Sequence, residues 1–534
     1  MDFFASPHST AISLSAVALA SLAFLYFLLR TISSAGNSIK NHVEAPPPEE
    51  AHGSWPVIGH LHLLGGPRPP HIVLGQMAEK HGPIFTIRMG IHPALVVNNW
   101  ETAKECLTTH DRVFADRPAT LATHILGYNR SMFGFSPYGP YWRQIRKMAT
   151  LELLSSHRLD LLKRARESEV ELATKELYTY WAKHAAENGS VSVEMTSWFG
   201  EITLNVILKM VVGKSVGYLT GGEDGVRLMK ILKDFFELSG RFVVADGLPF
   251  LRWLDVGGFE KKMRKTAAEM EVVVEEWLRE HKAKRDSGGG KAADEDFMDV
   301  ILNVVGDEGG IDGRDSDTVN KATCLALTLA ASDTTTVTMT WLIALLVNHP
   351  DVLKKAQTEL DNHVGKDRRV QESDLPNLDY LKAIVKETLR LYPAGPLSVP
   401  HQSMEDCTVA GRFVPKGTRL IVNISKLQRD PRVWSDPDEF RPDRFLTTHK
   451  DVDLKGQDFE LIPFGSGRRM CPGMNFALQV MYLTVATLLH GFDFSRATSE
   501  PVDMTESIGL TNPRAFPLDV QLSPRLSSHL YGYD

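Results

Sequence analysis

The sequence predicts a mostly α-helical protein with small β-sheets. One large domain, residues 57–534, follows an N-terminal transmembrane anchor (1–30) and a proline-rich hinge (31–56). Three observations carry this prediction. Ala11 to Leu29 is apolar or small throughout and free of charge, helical periodicity dominates the middle of the chain, and the extended segments are few and short.

The elements follow in order. As a helix, the run from Ala11 to Leu29 spans about 28 Å, close to the hydrocarbon thickness of a bilayer. Arg30 and Lys40 lie on its C-terminal side and Asp2 is the only charged side chain before it, which puts the bulk of the chain in the cytosol. A cleaved signal peptide carries its basic flank on the other side and has a shorter apolar core. Pro46, Pro47, Pro48 and Trp55-Pro56 make a stiff, extended connection. Ile84 to Met89 and Ala94 to Asn98 read as strands around the turn Gly90-Ile91-His92-Pro93. From Tyr141 to Asp286 the pattern is helical, with breaks near Asn188, Gly213 and Gly247, and a glycine-rich surface loop follows. Long helices are expected over Asp315 to Asn348, stopped by Pro350, and over Leu378 to Leu391, ending before Pro393. A strand over Arg419 to Ile424 and a helix over Met474 to Leu489 complete the pattern. No Gly-x-Gly-x-x-Gly follows a strand, so no flavin or nicotinamide domain is evident and any electrons must come from another protein.

Lys+Arg 59 against Asp+Glu 66 gives a net charge of −7, which does not suit a nucleic-acid partner. Cys106, Cys324, Cys407 and Cys471 are widely spaced with no Cys-x-x-Cys pair, so a disulfide framework or zinc site is not indicated and a reducing compartment is. Asn188-Gly189-Ser190 and Asn423-Ile424-Ser425 match the glycosylation sequon, which a cytosolic location leaves unmodified.

The chemistry concentrates in Phe464-Gly465-Ser466-Gly467-Arg468-Arg469-Met470-Cys471-Pro472-Gly473. Gly465 and Gly467 let a backbone approach a flat molecule, and Arg469 can pair with an anionic group on it. Pro472 suits a first helical position, placing Cys471 near an N-cap where the dipole favours a thiolate, hence a metal ligand. Upstream, Glu387 and Arg390 are three apart on one helix face, and Arg444 follows in Phe440-Arg441-Pro442-Asp443-Arg444-Phe445. Trp142 and Arg146 are four apart and face one way, with Arg143 and Lys147 in an adjacent basic stripe. Within the long helix, Ala330-Ala331-Ser332-Asp333-Thr334-Thr335 sets an acid in an apolar face and follows it with weak helix formers, a local sacrifice of helix stability.

These motifs, in this order, resemble those of the cytochrome P-450 superfamily and cover essentially the whole chain. The decapeptide fills the family's Phe-x-x-Gly-x-Arg-x-Cys-x-Gly, and the segments at Trp55 to Gly66 and Phe459 to Phe464 most resemble plant family eighty-two, which acts on specialised metabolites. The resemblance implies the P-450 fold and a haem b whose iron takes the Cys471 thiolate, with Phe464 and Gly473 in the same loop. It implies that Trp142, Arg146, Arg469 and His401 contact the haem propionates, and that Glu387, Arg390 and Arg444 form a triad beneath the cysteine loop. Asp333 and Thr334 are implied as the proton-delivering pair. Asp443 stands where the family usually has Glu, and Ala331 where it usually has Gly, a change that bears on the oxygen groove or a local kink. By position in the family, substrate contacts fall on Thr123, His124, Leu126, Leu329, Leu397, Ser398, Val399 and Leu510.

The implied function is a membrane-bound monooxygenase that hydroxylates or oxidatively demethylates a lipophilic flavone, coumarin, alkaloid or terpenoid. Its implied partners are the endoplasmic reticulum membrane and NADPH-cytochrome P-450 reductase, with cytochrome b5 as a second donor. Arg143, Lys147 and Arg468 are the expected docking patch. The rival readings are an oxygen-independent haem-thiolate isomerase or dehydratase, and a non-catalytic haem-binding membrane scaffold.

Overall fold

The computed structural model describes residues 45–532, apart from 188, 218–222, 288–294 and 307–308. The expected anchor and the sequon at Asn188 lie outside the described residues. The first described residues are already part of the body, because Glu50 bridges Thr86 and Ala51 N–H donates to Thr86 O at 2.9 Å.

Helix α1 (Pro70–His81) leads into strands β1 (Ile84–Met89) and β2 (His92–Val97), an antiparallel pair turning at Gly90. Later come α2 (Pro140–Met148), α3 (Lys163–His184), β3 (Val191–Glu194), α4 (Met195–Val212) and α5 (Glu223–Ser239). Gly213 closes α4 at φ +66, a left-handed C-cap that suits glycine. Next are α6 (Phe259–Asp286), α7 (Phe297–Val305), α8 (Ser316–Asn348), α9 (Pro350–His363) and α10 (Asp379–Leu391). The C-terminal part adds β4 (His401–Gln402), β5 (Arg419–Val422), α11 (Met474–Gly491), β6 (Phe492–Arg496) and β7 (Asp519–Pro524).

The first sheet has the order β1-β2-β5-β4, with β2 and β5 parallel and Val96 opposite Ile421. The second is antiparallel with the order β3-β7-β6, and its β3 strand follows the expected break near Asn188, where the sequence reads as helix on either side. Four residues of β3 are too few to overturn a helical reading by pattern; pairing with β7, far away in sequence, decides it.

The long helix α8 organises the body. Asp315 caps it by accepting the Thr318 N–H at 2.8 Å, and its 33 residues run about 50 Å. It is apolar enough to cross a membrane, yet 72% of its most apolar window is buried inside the protein, so it is a core helix. It packs on α4 along one side and reaches α10 and α11 on the other. Trp341 fixes its C-terminal half, stacking on Tyr392 at 4.0 Å and donating Nε1–H to Asn512 O at 2.7 Å. That bond ties the loop around residue 511 to the middle of the molecule.

Candidate active site

The triad is the best-buried polar cluster of the fold. Arg390 Nε and Nη2 donate to Glu387 Oε2 and Oε1 at 2.7 and 2.9 Å, and Arg444 Nε donates to Oε1 at 3.0 Å. All three side chains are essentially inaccessible. The spare guanidinium N–H groups go to main-chain carbonyls: Arg390 to Pro437 O at 2.6 Å, and Arg444 to Ser435 O at 2.9 Å. One carboxylate between two cations, with the remaining donors satisfied, clamps α10 to the segment that leads into the cysteine loop. Asp443 points outward and pairs with Lys355.

Cys471 does not sit at the helix cap. Gly473 is the cap of α11, helix begins at Met474, and Cys471 lies two residues ahead of the cap. Burial pushes the Cys471 thiol up, opposed by the Gly473 N–H and by Arg146, so helix polarity alone does not make it a thiolate. The side chain is accessible although protein surrounds it, because it faces a cavity. Gly467 also has a different reason from approach to a flat molecule. It sits at φ +66, and a Cβ there would fall 2.6 Å from Leu107 O, so it is a turn against the chain's own backbone. Gly465, at φ +71, lines the cavity.

That cavity holds about 340 Å³ and is bounded on one side by the cysteine loop and on the other by α8. Phe464, Arg469, Cys471, Gly473, Trp142, Arg146 and His401 all line it. Arg469 lies over the Trp142 ring at 4.3 Å and donates to Ala115 O and Ser136 O, both at 2.7 Å. Arg146 Nη2 donates to Met470 O at 2.6 Å. Arg117, which the sequence reading missed, joins them, donating to Val399 O and to Pro400 O. None of these three guanidiniums makes an ion pair among the described residues. Burial lowers all of them, Arg469 to about 10. His401 donates Nδ1–H to Phe114 O at 2.8 Å, and burial beside Arg117 holds its pKa well below the usual histidine range.

On the opposite wall, Ala330, Ala331, Thr334, Thr335 and Thr338 line the cavity, and α8 runs through Ala331 without a break. Thr334, Thr336, Thr338 and Thr340 each donate Oγ1–H to the carbonyl four residues back, at 2.6 to 2.9 Å. These bonds satisfy the hydroxyls within the helix. Asp333 does not line the cavity. Its Oδ2 accepts from Thr511 Oγ1 at 2.7 Å, and Thr511 does line it. Burial raises the Asp333 carboxyl to about 6, against the lowering effect of the Thr511 bond.

Of the segments expected to touch a substrate, Leu329, Ser398, Val399 and Leu510 line this cavity. Leu397 instead lines a neighbouring cavity. Thr123, His124 and Leu126 line neither. Thr123 closes a capping box with Thr120, His124 pairs with Asn129 at 3.0 Å, and Leu126 is buried in the core. Phe133, Phe135, Phe235 and Phe236 form most of the aromatic wall. They come from loop 127–139 and from α5, where no chemical motif marks them. Of the basic patch, Arg143 and Lys147 are exposed, whereas Arg468 is paired with Asp111 at 3.0 Å. Asn423 of the second sequon is fully buried, its amide donating to His71 O and Asn98 Oδ1.

A lone cysteine at one face of a cavity, beside one buried and two half-buried guanidiniums that among the described residues make no ion pair and have only the Asp116 carboxylate to offset them through space, fits a flat dianionic metal macrocycle. The class so defined is a haem-thiolate enzyme. The chain belongs to the cytochrome P450 family: the family profile described as Cytochrome P450 matches residues 46–518. Strychnine-10-hydroxylase of Strychnos nux-vomica is 54% identical over 511 residues, covering 95% of this chain and 96% of the relative. Flavonoid-6-hydroxylase of Ocimum basilicum is 52% identical over 519 residues, with 95% and 96% covered. Cytochrome P450 82A4 of Glycine max, 47% identical over 509 residues and covering 95% of each chain, carries the plant family 82 designation that the motifs suggested. A zebra fish cytochrome P450 solved with abiraterone superposes with a TM-score of 0.68 at 26% identity, over 86% of this chain and 100% of that one. The protein is accordingly an oxidoreductase of the monooxygenase type that uses haem held by a cysteine thiolate.

Proposed function

We propose that this chain hydroxylates a flat, lipophilic plant specialised metabolite, as an enzyme anchored in the endoplasmic reticulum by residues 1–30 with its catalytic domain, 57–534, in the cytosol. The observation that carries the substrate class is the cavity between Cys471 and Thr334, which has an aromatic wall, charged groups at its cysteine end and only hydroxyls on the facing helix. The relatives named as hydroxylases of strychnine and flavonoids support a polycyclic substrate.

When bound, haem supplies the activation of dioxygen and the oxidation of a C–H bond. The chain's own groups do the rest. Cys471 Sγ would hold the iron, which would displace the thiol proton. Arg117, Arg146 and Arg469 would compensate the two propionates, with Trp142 and His401 beside them. The triad of Glu387, Arg390 and Arg444 holds the loop in register. The phenylalanine wall excludes water and orients the substrate plane. Asp333, poised near neutrality, exchanges a proton with Thr511 Oγ1, which lines the cavity together with Thr334. Electrons come from NADPH-cytochrome P-450 reductase or cytochrome b5, docking on exposed Arg143 and Lys147.

The test uses microsomes containing this chain and a plant reductase, incubated with flavones, coumarins, alkaloids and terpenoids. NADPH-dependent oxygen addition, absent from Cys471→Ser, is the expected result. A normal thiolate-type ferrous–CO spectrum with no oxygenated product from any class would sink the substrate reading.

A further inference from the structure

Beside the main cavity lies a second one of about 150 Å³, and the two share Ser398, Leu510 and Thr511 as a common wall. Arg419 lines this second cavity from the first residue of β5, where backbone pairing with Ala94 and Gln402 fixes its position. It is 6% exposed, and its Nε is sealed from solvent. Among the described residues its guanidinium makes no hydrogen bond and no ion pair within 4.0 Å. Arg117, Arg146 and Arg469 behave differently, each placing N–H groups on main-chain carbonyls.

A guanidinium carries five donors, and burying it with none of them used is unfavourable unless something else accepts them. Asp246 also lines the second cavity and interacts with Arg419 through space, while its Oδ1 is committed to the Leu121 N–H at 2.6 Å. His71 and Arg241 also line this space but pair with Glu506 and Glu237, which leaves Arg419 and Asp246 to offset each other's charge. The group that suits them is therefore a neutral oxygen acceptor rather than a carboxylate or phosphate, which Asp246 would repel.

We propose that Arg419 is a specificity-determining residue, donating to a carbonyl or ring-ether oxygen at the far end of a flat lipophilic substrate whose oxidised end lies in the main cavity. This rests on the reading of the main cavity given above and adds the polar handle that the apolar cavity lacks. Ser398, in the shared wall, holds a left-handed backbone at φ +60. Such a conformation is uncommon for serine and bends the chain where the two compartments meet.

The test is spectral titration of the haem-loaded, full-length protein with two matched pairs: flavone against 2-phenylnaphthalene, and fluorenone against fluorene. Wild type is expected to bind the oxygen-bearing member of each pair about tenfold more tightly, the effect of one charge-assisted hydrogen bond. Arg419→Met should lose that preference and bind the hydrocarbons as wild type does. Arg419→Lys should keep part of it, and Arg419→Gln supplies a second uncharged variant. A normal ferrous–CO spectrum checks the fold of each. No preference in wild type, or one that survives in both uncharged variants, overturns the proposal and leaves the second cavity to water. If wild type binds none of the four compounds despite a normal spectrum, the reading of the main cavity fails, and this proposal with it.

Discussion

Thr511 Oγ1 donates to Asp333 Oδ2 at 2.7 Å, joining a C-terminal loop to the middle of the longest described helix across 178 residues of sequence. Because Asp333 does not reach the cavity and Thr511 does, the hydroxyl is the carboxyl's contact with the site. This bond stabilises the carboxylate form. Thr511→Val is expected to raise the Asp333 pKa by roughly one unit, since a bond to a charged group contributes about 1.5–3 kcal/mol. The kcat–pH profile should shift upward in Thr511→Val and be restored in Thr511→Ser. An unchanged profile in the valine variant would remove Thr511 from the proton path.

Asp333 itself makes a prediction about stability. Its folded pKa of about 6 lies above the ordinary 3.8, so the native state holds a proton that the unfolded chain releases between those values. Stability therefore falls as pH rises from about 4 to 6 and remains reduced above that. Asp333→Asn should stabilise the protein by roughly 2–3 kcal/mol at pH 8 and by little at pH 4. Apparent melting temperatures at the two pH values measure this. NADPH-dependent product formation should fall in the same variant, which separates the residue's chemical role from its stability.

Glu387 is the one carboxylate shared by two fully buried guanidiniums, and its removal leaves both without an ion-pair partner. Glu387→Gln is expected to destabilise by about 3–5 kcal/mol and to lower haem content on expression. Asp443→Ala, at an exposed pair with Lys355, should change stability by well under 1 kcal/mol. Thermal unfolding and the haem-to-protein ratio distinguish the two. Similar losses in both variants would contradict the triad's clamping role.

The cationic residues divide by burial. Arg469→Met should release haem faster, because it removes the donor stacked over Trp142 and leaves the propionate side short of one charge. Arg143→Ala combined with Lys147→Ala, both exposed, should leave haem content unchanged and raise the reductase concentration needed for half-maximal turnover. That effect should weaken as ionic strength rises, since exposed charges are screened over about 8–10 Å. Equal turnover at all reductase concentrations would rule out this docking face.

Several expectations take another form in the structure, for identifiable reasons. Pro472 suggested a cap next to Cys471, whereas the turn through Gly473 delays the helix to Met474 and burial dominates the thiol. Thr123, His124 and Leu126 were placed by analogy of position; Thr123 closes the cap of the short helix Leu121–Ile125, His124 pairs with Asn129 and Leu126 lies in the core. Arg117 and Thr511 were invisible because a single Arg or Thr in a loop has no period, and their partners are remote in sequence.

The sequence by itself determined the long helices, the cysteine loop and, through its motifs, the family, whose resemblance implied the triad. Those signals are local: apolar repeats at helical spacing, proline stops, and short motifs such as Glu387 and Arg390 three apart. Only the tertiary structure decided which side chains share the cavity, how three arginines gather at one end, and that Asp333 speaks to the site through Thr511. It also decided that Arg419 is buried facing Asp246 with no hydrogen bond among the described residues. Burial and hydrogen bonding between distant segments set those relationships, because the desolvation and partners of a charged group depend on what the fold brings beside it rather than on its neighbours in the chain.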